Sequence, residues 1–152
     1  MAHYAYINSD NEVVEVITGK DETEDAPEGY ADWEEYYESK REGLTCKRTS
    51  YNTKHGEHKL GGTPFRGNYG YVGTTYDATN DVFIEPPEYL SWVLDTSKWC
   101  YVPPGGYPAD LNHEGDTSLP AKYYMWDESK QEWVLSQTYV YNSEIDDWEL
   151  QE

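Results

Sequence analysis

His55-Gly56-Glu57-His58 is the segment of this chain that most invites a chemical reading. Two imidazoles at H-x-x-H spacing, with Cys46 and Cys100 elsewhere, are zinc-ligand types. No second pair completes four ligands, and Gly56 sets the histidines on a turn, not on one helix face. The expectation is a polar loop pair and no metal. The turns Asp95-Thr96-Ser97, Asp127-Glu128-Ser129 and Asn8-Ser9-Asp10-Asn11 offer oxygens but lack the central Gly and terminal Glu of a calcium loop. An Asp or Asn that bonds its own backbone two residues on explains them better. By number alone the carboxylates could supply a glycosidase pair. Acid–base work, however, needs a carboxyl held in a cleft with a shifted pKa, and these acids sit in turns and loops. No GxSxG, P-loop or dinucleotide fingerprint is present. The expectation is therefore no enzyme and no cofactor.

The other chemistry-bearing residues are aromatic: 16 Tyr and 6 Trp. Such rings can stack on sugars or cage a quaternary ammonium group. YMWDESKQEWV and SWVLDTSKWCYV are superficially similar to the hairpins of choline-binding repeats, without the glycine spacing of that family. The simpler reading is aromatic pairing across strands. A unit recurs that favours it: an apolar or aromatic residue, then Asp or Asn, then another apolar or aromatic residue six positions after the Asp or Asn. It reads Ile7-Asn8…Val14, Tyr76-Asp77…Phe83, Leu94-Asp95…Tyr101, Trp126-Asp127…Trp133 and Tyr141-Asn142…Trp148. Each copy is a β-prone stretch, a polar turn and a β-prone return.

Around these units the elements are few. Residues 2–18 alternate well enough for a hairpin. Asp32 to about Glu42 is the one convincing helix, with Trp33, Tyr36, Tyr37 and Lys40 on one face. Asp32 is placed to cap it, Glu35 to complete a capping box, and Gly43 to end it. Its aromatic face should pack on the sheet. Residues 44–75, rich in Gly, Thr, Asn and Tyr, read as a long loop or irregular hairpin. Residues 105–120 read as a linker, and 121–152 as two more hairpin units. The fold expected is mainly β: antiparallel hairpins, one short helix near 32–42 packed on the sheet, and an extended C-terminal hairpin region. The domains expected are a core at 1–104, the linker at 105–120 and the extension at 121–152.

Composition limits the partners. Of 152 residues, 37% are hydrophobic and the net charge is −19, so phosphate backbones are repelled and nucleic acid is disfavoured. The charge is uneven: residues 44–75 carry five cations against one acid, Glu57. Such a cationic segment could meet an acidic face, including that of a second copy. No apolar run would span a membrane, and no signal peptide opens the chain. Two cysteines outside a CxxC favour free thiols.

Several stretches together resemble a family of small virion-associated proteins of marine tailed phages, especially those of cyanobacteria. They are MAHYAYINSDNEVVEVITG, WEEYY and, most specifically, Arg66-Gly67-Asn68-Tyr69-Gly70, Tyr76-Asp77, Asp81-Val82-Phe83-Ile84, Pro87 and Ser91-Trp92-Val93-Leu94-Asp95. The resemblance covers most of residues 1–102 and is looser beyond. It implies a particle context, with assembly in the bacterial cytoplasm, and transfers no catalytic residue. The function expected is a multicopy capsid decoration or cement protein; a tail- or fibre-associated protein and a host-glycan-binding module are the alternatives. Candidate partner-binding residues are Lys47, Arg48, Lys54, Lys59 and Arg66 of the cationic segment, Tyr69 and Tyr71 beside it, and Trp126, Trp133, Tyr141 and Trp148 of the late hairpins. The partners expected are capsid or tail proteins of the same particle, with a homo-oligomer as a further option.

Overall fold

Alternation in the first strand feeds two cores, one from each face: Ala2, Tyr4 and Tyr6 are buried on one side, and Ala5 and Ile7, with Val13, on the other. Strands β1 (Ala2–Ile7) and β2 (Val13–Gly19) pair antiparallel, and β3 (Thr45–Thr49) joins the other edge of β1 to give the order β2-β1-β3. The computed structural model describes residues 1–111 and 116–152. It is mainly β, with antiparallel sheets and one short helix.

That helix, α1 (Trp33–Glu38), begins where the sequence predicts. The Asp32 side chain accepts from the Glu35 N–H at 2.8 Å, and Glu35 reaches back to the Ala31 N–H at 2.6 Å. It ends earlier than the predicted Glu42. Ser39 caps it: its N–H bonds the Glu35 carbonyl at 3.1 Å, and the Lys40 N–H bonds the Tyr37 carbonyl at 3.0 Å. The Arg41 guanidinium instead grips Glu15 of β2 through two bonds of 3.1 Å. The aromatic face of α1 packs on β1 as expected, with the Tyr37 ring 4.7 Å from Tyr4.

The predicted loop at 44–75 is more ordered than its composition suggests. It holds β3 and a small hairpin of β4 (Thr53–Lys54) and β5 (Glu57–His58). His55 (φ 50) and Gly56 (φ 73) are its two turn residues, and a two-residue loop with both φ positive matches the natural twist of a hairpin. β3 eluded the sequence because its partners are remote. β1 pairs one edge, and α1 supplies the other: Glu38 accepts the Cys46 N–H and Glu34 the Arg48 N–H, each at 2.8 Å. Carboxylates thus satisfy backbone groups that an exposed edge would offer to another chain.

The recurring unit is realised as a hairpin with one chemistry. The side chains of Asn8, Asp77, Asp95, Asp127 and Asn142 each accept the backbone N–H two residues on. A left-handed residue closes each turn: Asn11, Asp81, Trp99, Gln131 and Asp146. β6 (Thr75–Asp77) and β7 (Val82–Ile84) set Tyr76 opposite Phe83. β8 (Val93–Asp95) pairs with β9 (Cys100–Val102). β10 (Ala121–Asp127), β11 (Glu132–Asn142) and β12 (Asp147–Leu150) set Trp126 opposite Trp133 and Tyr141 opposite Trp148. The first copy departs by one residue. Its left-handed Asn11 comes one position sooner, Ile7 faces Val13, and Val14 is passed over in the register and left 42% exposed.

By contacts the chain divides into two units: Met1–Pro87 with Leu94–Tyr101, and Glu88–Val93 with Val102–Glu152. The first holds two apolar clusters, one around Ala5, Ile7, Val13, Tyr76 and Phe83, the other around Ala2, Tyr4, Tyr6 and Cys46. The second is built on β10-β11-β12, so the two C-terminal hairpins share β11 and form one sheet. Residues 105–111 of the predicted linker pack against this sheet: Gly106 accepts the Trp133 indole N–H at 3.0 Å, and Tyr107 lies 5.7 Å from Trp133. The rest of that linker includes 112–115, outside the described residues.

Candidate functional site

The cationic segment is tied mostly to the protein's own acids. Arg66, 13% exposed, pairs with Glu34, lies 2.9 Å from Asp81 and donates to the Arg48 carbonyl at 2.9 Å. Lys47 pairs with Glu34 at 3.4 Å, and Arg48 with Glu22. The guanidinium carbons of Arg48 and Arg66 stand 4.0 and 4.9 Å from the centre of the Phe65 ring. Burial pushes the Asp81 carboxyl up, but the Tyr76 hydroxyl and the Arg66 guanidinium more than reverse this and hold it below the ordinary carboxylate range. These cations organise α1, β3 and the 65–67 turn. Arg48 and Arg66 also line a cavity of about 450 Å³ together with Glu22, Glu24, Asp25, Asp32 and Glu34.

Asn68 is the second organiser. Its side chain, 1% exposed, accepts the His55 N–H at 2.7 Å and donates to the carbonyls of Phe83 (2.8 Å) and Trp99 (2.7 Å). All three side-chain bonds are made inside, which joins three separate turns. Gly70 then lies flat on the core: a Cβ there would stand 2.6 Å from the Phe83 ring. That close approach sets Tyr69 and Tyr71 on either side of a contact only glycine allows.

Lys54 and Lys59 remain. Among the described residues neither has an acidic partner within ion-pair distance, and Lys59 Nζ sits 4.7 Å from the centre of the Tyr51 ring. Together with Tyr51, Tyr69, Tyr71, Thr53 and Glu85 they line a cleft of about 130 Å³. Glu85 takes the Tyr71 hydroxyl at 3.3 Å and meets His55 Nε2 at 3.2 Å. Burial raises the pKa of Tyr69 and of Tyr71, and the charge of Glu85 adds to the rise at Tyr71, so both hydroxyls stay neutral donors. The histidine pair does not converge. His58 Nδ1 instead accepts the N–H groups of Leu60 (3.2 Å) and Gly62 (3.1 Å). Cys46 and Cys100 are both buried free thiols, and burial pushes the Cys46 thiol up to about 12.

In the second unit the aromatic candidates separate by face. Trp126, 7% exposed, is interior: its ring meets Trp92 at 6.1 Å and Trp133 at 5.3 Å. Trp133, paired with Trp126, shares its side, and register puts Tyr141 and Trp148 on the opposite one. Met125 faces Val134, Tyr139 faces Leu150, and Tyr141 faces Trp148. The pleat, with the register shift that passes over Ser136, gathers these six on one side of the sheet. Met125 is 65% exposed, Leu150 52% and Val134 40%, while Tyr139, Tyr141 and Trp148 are half-buried. Sequence reasoning found Tyr141 and Trp148 but not Met125, Val134 and Leu150. Alternation alone does not find them, because the register shift opposite Tyr123 and Tyr124 passes over Ser136 and brings Val134 onto the side of Tyr139 and Tyr141. Nothing local marked Glu34, Glu38 or Glu85, whose partners lie far along the chain.

Compared with family models, with curated proteins and with solved structures, the chain matches none of them.

Proposed function

We propose that this protein is a structural component of a phage particle, a multicopy capsid decoration or cement protein. The observation that carries the reading is the apolar face of β10-β11-β12. A chain of net charge −19 with only 37% hydrophobic residues leaves Met125, Val134 and Leu150 in water beside Tyr139, Tyr141 and Trp148. A contiguous apolar face on an otherwise polar surface suits burial against another protein. Tyr, Trp and Met are residue types enriched at such interfaces. The unit that bears the face has twelve acids against two cations, Lys122 and Lys130. Like charge opposes pairing of two such units, which favours a coat or tail protein as partner.

Docking therefore falls to the late hairpins. The cationic segment contributes less than its sequence suggests, because Lys47, Arg48 and Arg66 already hold internal acids. The test is mass spectrometry of purified particles after a mild salt wash. A structural protein is retained in multicopy, stoichiometric amount, and a Met125→Glu, Trp148→Glu variant is washed off. Absence of the wild-type chain from mature particles would overturn the proposal. Separated heads and tails show which of the two carries it.

A further inference from the structure

The first unit carries a second, chemically different surface. Its cleft combines three features that seldom coincide in so acidic a protein. Tyr51 is 55% exposed with Lys59 over its ring, Tyr71 is 39% exposed, and Tyr69 is half-buried. The ring centres of Tyr69 and Tyr71 are 6.5 Å apart with the planes at 33°, and Tyr51 stands perpendicular to Tyr69 at 6.3 Å, so two rings form a strip edged by the third. Lys54 and Lys59 open onto the strip without an acidic partner among the described residues, whereas Lys47, Arg48 and Arg66 of the same segment are paired. Glu85, the one acid lining the cleft, has both carboxylate oxygens engaged, by Tyr71 and by His55.

The walls are held by backbone, not by chance side-chain packing. The Lys59 N–H donates to the Asn52 carbonyl at 2.8 Å and the Tyr69 N–H to the Thr53 carbonyl at 2.9 Å. Thr53, 1% exposed, accepts the Phe65 N–H with its hydroxyl at 3.0 Å. Gly70, pressed on Phe83, keeps Tyr69 and Tyr71 in place. A preformed cleft loses little freedom on binding.

We infer that this cleft binds an anionic saccharide, one sugar ring stacking on the tyrosine strip while its carboxylate or sulfate meets Lys54 and Lys59. Rings supply stacking area at low entropic cost, the lysines supply two positive charges outside any ion pair among the described residues, and the Tyr hydroxyls bond sugar hydroxyls. A volume of about 130 Å³ suits one sugar ring, not an extended chain laid full length. Nucleic acid is a poorer occupant, because the overall charge of −19 repels a long polyanion while a short one reaches the local cations. The inference rests on this cleft alone and is independent of the particle-docking face.

The test is titration of the isolated full chain with tetragalacturonate, a sulfated carrageenan tetrasaccharide and neutral cellotetraose, followed by calorimetry and by the NMR signals of the tyrosine rings. Expected are shifts at Tyr51, Tyr69 and Tyr71 with one or both charged oligomers and at least tenfold weaker binding of the neutral one. Lys54→Gln with Lys59→Gln should lower affinity for the charged oligomer tenfold or more. Tyr71→Ala should do likewise, and Lys130→Gln in the other unit should not. All four side chains are exposed, so unchanged unfolding midpoints verify that the variants fold. No response of the three tyrosines to any oligomer at millimolar concentration would overturn the inference. So would equal binding of cellotetraose, or binding that survives loss of both lysines. Which charged oligomer binds decides between carboxylate and sulfate.

Discussion

The hairpin at Tyr76–Phe83 and the hairpin at Tyr141–Trp148 use the same construction in different surroundings. Each sets two aromatic rings across the strands, at 5.2 and 5.6 Å between centres. Each turns on an Asp or Asn that bonds its own backbone, and each closes on a left-handed Asp that takes the hydroxyl of the first Tyr: Asp81 from Tyr76, Asp146 from Tyr141. Yet Phe83 is 0% exposed and Tyr76 is 7% exposed, packed against Ala5, Ile7 and Val13, and Asp81 also meets Arg66. Among the described residues Tyr141 and Trp148 pair with each other across their own sheet, and both stay half-buried. A hairpin of this kind is locally complete but marginal by itself. What surrounds it decides whether its aromatic pair becomes core or interface.

Large-to-small substitution tests that difference most directly. Phe83→Ala should cost about 4 kcal/mol, since it empties a fully buried ring site. Trp148→Ala should cost only about 1 kcal/mol. Residue-resolved hydrogen exchange in urea reads each unit separately. Equal losses at the two positions would erase the contrast. Next is Asn68→Ala, which strands the His55 N–H and the Phe83 and Trp99 carbonyls. A loss of about 3 kcal/mol is expected from unsatisfied buried groups, confined to protection of the first unit.

The closing Asp residues should differ as well. Asp81→Asn weakens an ion pair to a largely buried guanidinium and should cost about 1 kcal/mol, whereas Asp146→Asn should leave the unfolding midpoint in place. The smallest effect is in the acid limb. Asp81 has a folded pKa below its unfolded value, as do the turn residues Asp77, Asp95 and Asp127. Their contribution is complete above the unfolded value of about 3.9 and fades as pH falls through the lower folded value. Urea midpoints should therefore drop below about pH 4, and Asp81→Asn should make the drop shallower. A midpoint flat down to pH 2 would refute the linkage.

Much of the fold was legible because its instructions are short-range. Asp77, Asp127 and Asn142 specify their turns within a few residues, and the aromatic pairs around them follow. Asp32 and Glu35 likewise marked the start of α1. The first hairpin was read one residue out, since the earlier left-handed position at Asn11 puts Val13, not Val14, against Ile7. α1 ends before the expected Glu42, because after Ser39 the backbone bonds tighten to i→i−3, Lys40 to Tyr37 and Arg41 to Glu38, a switch that no residue type marks. β3 was read as loop, because the groups that complete it, β1 and the carboxylates of Glu34 and Glu38, lie outside any local window.

The candidate site divides in the same way. Residue types nominated aromatic and cationic surface, but only three-dimensional pairing sorted one from another. It drew Arg48 and Arg66 inward, left Lys54 and Lys59 beside three tyrosines, buried Trp126 and left Trp148 at the surface. The sequence by itself determined the hairpins, their turn chemistry and the acidic balance, since each depends on neighbours in the chain or on a simple count. Only the tertiary structure decided which cations are neutralised and which aromatic face meets water. Ion pairs and burial depend on groups brought together from distant positions, and no local pattern encodes that meeting.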